Sequence, residues 1–203
     1  MRIEEQTIAT FLNDLAAKSP TPGGGAVAAL TSAIAAALAR MVVNYSVGKK
    51  SLASFNDLHQ HALQQLESLG AAAIDLAEAD AIAYGKLNEL WKLDKADPRR
   101  RREFPQAVQA AIEAPMAVLN AAKTMLHRLD ELVAATNTML ASDLAIAAIL
   151  ADAAARSAAW NVRINLPQVE DRQHRASLEQ QVDQTLAASA SLCVKIELAC
   201  RPK

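Results

Sequence analysis

Three of the chain's six glycines stand together in Pro20-Thr21-Pro22-Gly23-Gly24-Gly25, directly ahead of an alanine-rich stretch. Glycines let a backbone approach a ligand closely, and the unpaired N–H groups of a helix start attract anions. Pro22, Gly23, Gly24 and Gly25 are therefore candidates for binding a carboxylate or phosphate. The structural alternative is a tight loop at a helix–helix contact. No Gly-Lys-Ser/Thr follows, so this is not a phosphate-binding P-loop. At the far end of the alanine-rich stretch, Asn44-Tyr45-Ser46-Val47-Gly48-Lys49-Lys50 offers Asn44, Lys49 and Lys50. Lysines there suit the negative end of a helix dipole, and they could equally hold an anionic tail.

Two carboxylates and two amides complete the set. Asp80 lies among small apolar neighbours in Glu78-Ala79-Asp80-Ala81-Ile82. It is either exposed or, if buried, in need of a partner or raised in pKa. Asp143 closes the run Asn137-Thr138-Met139-Leu140-Ala141-Ser142-Asp143, where Ser142 or Asp143 could simply cap a helix. Asn161 and Asn165 are four apart, so they share a helical face and either cap its end or present donors and acceptors to a heterocycle. His59, His61, His127 and His174 make no metal motif. Cys193 and Cys200, two helical turns apart, suit a core seam and cannot bridge within one helix. Arg99 to Arg102 is a basic run, read as a solvated face with an anion site as the alternative. A GxSxG nucleophile motif is absent.

The elements that must position these residues are helices. Alanine fills 45 of the 203 positions while aromatics reach only 3%, a balance that favours closely packed helices over strands. Apolar periodicity and the Pro/Gly punctuation predict helices over 7–18, 26–46, 52–91, 98–135, 142–162 and 171–199. Asp97-Pro98 reads as cap and first helical residue, and Pro115 predicts a kink. The expectation is one all-α domain over 1–203, a bundle of about six helices with short connections. Lys+Arg is 21 against Asp+Glu 22, which excludes a generic nucleic-acid binder. The apolar stretch 26–39 is short for a membrane span and is expected to be a buried helix. Met1-Arg2-Ile3-Glu4-Glu5-Gln6 has no apolar leader core, and with the cysteine usage this gives an expected cytoplasmic setting.

Taken in order, these stretches resemble the cyclodeaminase/cyclohydrolase family of folate enzymes. The resemblance is carried by Thr7 to Leu12, Pro20 to Gly25, Met41 to Asn44, Gly48-Lys49-Lys50, Asp80 with Ala83-Tyr84, Ala114-Pro115, Asn137, Ser142-Asp143 and Asn161 to Leu166. The chain departs from the family pattern at Ala26, commonly Ser, at Thr136, commonly Gly, and at Tyr84, usually Phe. The resemblance implies an all-α homodimer with folate bound in a cleft near the subunit interface. It implies hydrolysis of 5,10-methenyltetrahydrofolate to 10-formyltetrahydrofolate. The alternatives are a formimidoyltetrahydrofolate cyclodeaminase that releases ammonia, and a non-catalytic helical dimer that binds folate or a protein. The methenyl carbon is already a cation, so no metal or cofactor is expected. Asp143, placed first because it sits between two polar turns, and Asp80 are the expected catalytic carboxylates. Asn161 and Asn165 would fix the pterin or the reacting water, and the glycines with Lys49 or Lys50 would bind the glutamate carboxylates.

Overall fold

The computed structural model describes residues 3–202; Met1 and Arg2, part of the stretch read as lacking a leader core, lie outside them. Six helices account for the described residues: α1 (Ile8–Ala16), α2 (Gly24–Asn44), α3 (Asn56–Trp91), α4 (Pro98–Leu132), α5 (Ala141–Asn165) and α6 (Arg172–Ala199). Short 3-10 turns lie at Ile3–Glu5, Lys50–Phe55, Thr138–Leu140 and Leu166–Gln168, and no strand occurs among the described residues. The starts follow sequence chemistry. Thr7 caps α1 through the Thr10 N–H, Asp97 caps α4 through the Arg99 and Arg100 N–H groups, and Asp171 caps α6 through those of Gln173 and His174.

α2 to α5 form a four-helix arrangement in which α2 and α4 each pack against α3 and α5. α6 lies outside against α4 and α5, and α1 stands to the side with Ile8 and Leu12 exposed. The core runs in two segments along the bundle. One gathers Ala26, Ala29, Ala77, Leu87 and Ala158, and the other Ala36, Ala39, Leu66, Leu129 and Ala151. Alanine at these crossings lets helix axes approach at the short end of the usual range. Gly70 belongs to the same design: a Cβ there would sit 3.4 Å from that of Ala36. Cys193 and Cys200 are unpaired, and burial pushes the Cys193 thiol up to about 12, far from a reactive thiolate.

Two boundaries at the cleft differ from the sequence expectation. α2 starts at Gly24, so Gly24 and Gly25 lie in its first turn and only Gly23 remains in the loop. α5 runs on through Asn165, which places both asparagines inside its last turns. α4 continues as helix through Pro105 and Pro115 from Pro98 to Leu132. The alanine-rich α2 was expected to be a buried helix, yet only one side of it is: Ala35, Ala36 and Ala39 are buried while Ile34 is 58% exposed. α2 and the segment Thr138–Gln168 are both long and apolar enough to cross a membrane by length and composition; α2 packs against three other helices of this bundle. Overfilling the α2–α3 crossing tests the close-packing account. Ala36→Leu is expected to lower unfolding free energy by about 1–3 kcal/mol, measured by urea denaturation.

Candidate functional site

The first turn of α2 is held against α3 by contact too close for any side chain. A Cβ on Gly25 would sit 2.1 Å from the carboxylate of Asp80. Gly25 is buried, so this carboxylate lies over the bare backbone at the N-terminal end of a 21-residue helix. The anion that the glycine run attracts is thus supplied by the protein itself. A Cβ on Gly24 would meet Asn161 Oδ1 at 3.4 Å, so α5 closes on the same turn from the other side.

These contacts frame a cleft of ≈ 310 Å³ whose polar lining comes from Thr21, Asp80, Asn161 and Asn165. Tyr84, Ile164 and Ala111 supply apolar surface. The two amides are set by backbone carbonyls. Asn161 Nδ2 donates to Ser157 O at 3.0 Å, and Asn165 Nδ2 donates to Ala111 O at 3.1 Å and to Asn161 O at 3.0 Å. Each nitrogen has a backbone carbonyl partner, which leaves both Oδ1 oxygens and one N–H of Asn161 available. With Asp80, the floor of the cleft is rich in acceptors and complementary to a donor-rich or cationic group. Burial pushes the Asp80 carboxyl above its ordinary range. A raised acid pKa makes the ionised form the disfavoured one on folding. Asp80 accordingly stabilises the fold most below its ordinary pKa, and that contribution declines as pH rises toward the folded value.

The remaining residues singled out in the sequence lie at the opposite end of the bundle. Asn44 ends α2, and Lys49 and Lys50 follow it on exposed backbone, with Gly48 at φ 76° making the turn. Nineteen residues separate Gly25 from Asn44 along one helix, roughly 28 Å. Asn137 is joined to that end: its N–H donates to Ser46 Oγ at 2.9 Å, and its Oδ1 caps the following turn through the Met139 N–H. Thr136, one of the departures from the family pattern, is buried with its hydroxyl donated to Leu132 O. Asp143 sits in the first turn of α5, roughly 27 Å from Asn161 by helix rise. Pro22 lines a neighbouring cavity of ≈ 320 Å³ on the other side of Thr21, with Asp14 and Glu78. Within one chain, then, Gly23, Gly24, Gly25, Asp80, Asn161 and Asn165 come together, while Asn44, Lys49, Lys50, Asn137 and Asp143 form a separate polar end. Among the described residues no group of three His, Cys, Asp or Glu side chains is placed to hold a metal ion. Ala111 was not legible as a cleft residue, because its part is played by a backbone carbonyl. Ile164 was hidden in the Asn161 to Asn165 segment, where its type carries no chemical signal.

This all-helical fold has a solved counterpart. The structure of formiminotetrahydrofolate cyclodeaminase from Thermotoga maritima superposes with a TM-score of 0.90 at 28% identity, covering 97% of this chain and 96% of that one. The fold is that of a cyclodeaminase-type enzyme. The profile of the formiminotransferase-cyclodeaminase family matches residues 7–184, and the chain belongs to that family. Among its relatives, the methenyltetrahydrofolate cyclohydrolase of Methylorubrum extorquens is 31% identical over 94% of both chains. The formimidoyltransferase-cyclodeaminase of Sus scrofa is 29% identical over 87% of this chain but only 34% of its own length.

Gly25→Ala tests the contact that builds the cleft. The new methyl must displace the Asp80 carboxylate, so catalytic activity is expected to fall more than about tenfold. Stability should fall, because overfilling a buried contact costs about 1–3 kcal/mol, more than the roughly 0.5–1 kcal/mol gained by alanine over glycine within a helix. Activity assays paired with thermal melts check both.

Proposed function

We propose that this chain hydrolyses 5,10-methenyltetrahydrofolate to 10-formyltetrahydrofolate. The observation that carries the reading is the Asp80 carboxylate held over Gly25 in an acceptor-lined cleft. It is supported by likeness to a cyclohydrolase along nearly the whole chain. The methenyl bridge is a delocalised cation, so an acceptor floor stabilises the group that reacts. Ionised Asp80 takes a proton as water adds to the bridge carbon, giving a neutral hydroxyl adduct. The C–N5 bond then breaks, and Asp80 returns its proton to N5. The adduct hydroxyl loses its own proton to solvent as it becomes the formyl oxygen. Water supplies the oxygen and one proton leaves overall, so the scheme needs neither metal nor cofactor. Asn161 and Asn165 orient the ring or the water through Oδ1.

The cyclodeaminase reading is favoured by the match to the Thermotoga maritima structure. The same carboxylate would serve it, by deprotonating N10 as it closes onto the formimino carbon and by protonating the departing ammonia. Loss of methenyltetrahydrofolate absorbance against ammonia release from 5-formiminotetrahydrofolate separates the two. Asp80→Asn is expected to lower kcat by about 10²–10⁴-fold while melting no lower than wild type at neutral pH. Wild-type turnover should rise with pH through an apparent pKa above the ordinary carboxylate range. Full turnover by Asp80→Asn would remove this carboxylate from the reaction.

The polar end carrying Asn137 and Asp143 enters the same site through a homodimer. Ile146, Ile149, Ala153 and Trp160 lie on one side of α5, and Trp160 is 71% exposed. The segment Thr138–Gln168 is as apolar as a membrane span, yet only 33% of its most apolar window is buried. A second copy packed antiparallel about a two-fold axis near Ala153 covers this face. It also sets Asp143 of one copy level with Arg163 of the other, beside Asn161 and Asn165, with Lys49 and Lys50 near enough for an anionic tail. A cytoplasmic setting fits an enzyme of folate one-carbon metabolism, as its relatives are. Asp80→Asn and Asp143→Asn should each be inactive alone, yet a co-expressed mixture should regain about a quarter of wild-type activity, from mixed dimers with one intact site. Dimers without regained activity, or an active Asp143→Asn enzyme, would exclude the shared site.

A further inference from the structure

The cleft has walls as well as a floor, and the walls have no part in the scheme above. Tyr84 stands one turn after Asp80 on the same face of α3, lines the cleft and is 38% exposed. Its ring meets that of Trp91 in a T-shaped contact, with centroids 6.2 Å apart and planes at 77°. That contact fixes the orientation of Tyr84 without hiding it. Ile164 lines the same cleft from α5 and is 73% exposed. The chain holds seven aromatic residues in all, two Trp, two Tyr and three Phe, and a ring pair at the rim of this cleft accounts for two of them. A polar floor between an aromatic and an aliphatic side chain is a slot for something flat. Ring edges reach fixed acceptors, and ring faces meet apolar surface.

We infer that Tyr84 and Ile164 are the two faces of a slot that holds the substrate's bicyclic pterin head, with Tyr84 a specificity-determining residue that acts through its ring. This rests on the folate reading above. Stacking on an aromatic face and attraction of the bridge cation to the ring both favour the methenyl form bound there. Trp91 is a positioning residue, because it touches Tyr84 and does not line the cleft. The p-aminobenzoylglutamate tail leaves the slot and makes no use of Tyr84.

The test compares Tyr84→Phe with Tyr84→Ala in the full-length protein. Tyr84→Phe keeps the ring, and its KM for 5,10-methenyltetrahydrofolate should stay within about twofold of wild type. Tyr84→Ala should raise KM by about tenfold with kcat largely retained, the size expected of one lost stacking and cation–π contact. Inhibition by 6-methyltetrahydropterin should weaken in parallel in Tyr84→Ala, while inhibition by p-aminobenzoylglutamate is unchanged. A purely structural role would lower the melting temperature and leave that fragment selectivity intact. Binding is read separately in a Trp160→Phe background, where Trp91 is the single tryptophan and tetrahydrofolate should quench its emission. Quenching of equal affinity with Tyr84→Ala added, or equal weakening of both fragments, overturns the slot and leaves the folate reading standing. No turnover and no quenching in the parent protein overturns both.

Discussion

The close approach of α2 to its neighbours is the constraint on which the site depends. A carboxylate can rest on the backbone of Gly25 only because the crossing of α2 and α3 is lined by Ala36, Gly70 and similar small residues along its length. Were the helices spaced by leucines, the first turn of α2 would stand away from α3, and Asp80 would project into solvent with an ordinary pKa. Alanine richness is therefore more than a helix-forming composition. It sets the distance at which the chemistry is assembled, and the burial that raises Asp80 follows from that distance.

The same packing explains why the cleft is rigid in its polarity. Asn161 and Asn165 sit within a helix, so their amide nitrogens find backbone carbonyls one turn back and across on α4. Neither amide is free to rotate and offer a donor without losing those bonds. A ligand that brings its own donors is favoured at this floor. Catalysis of a cation's hydrolysis suits a site rich in oxygen acceptors.

Much of the architecture was legible in the sequence because local chemistry dictates it. Asp97-Pro98 and Asp171 announce helix starts, and the alanine and leucine periodicity gives the six helices. Two things were not legible. Gly24 and Gly25 read as loop because glycine is a poor helix former; here they are helical, and at Gly25 the Asp80 carboxylate occupies the space of the missing Cβ. The placement of Asp80 was not legible either. Flanking polarity put Asp143 first, and the meeting of Asp80 with the glycine turn across 55 residues of chain is a tertiary contact with no local signature. The lysines after α2 suit a tail, but helix length places them at the other end of the same chain, so they reach a cleft only through a second copy.

α2 also fixes a phase. It begins at the glycine turn that touches Asp80 and Asn161 and ends beside Ser46, whose hydroxyl receives the Asn137 N–H and so anchors the opposite polar end. Each residue of an α-helix turns the chain by about 100°. A single insertion or deletion between Gly25 and Asn44 would therefore swing one end out of register with the other, whatever its effect on packing. The segment works as a keyed shaft. Variation in chain length is tolerable in the turns that join the helices and intolerable within this one.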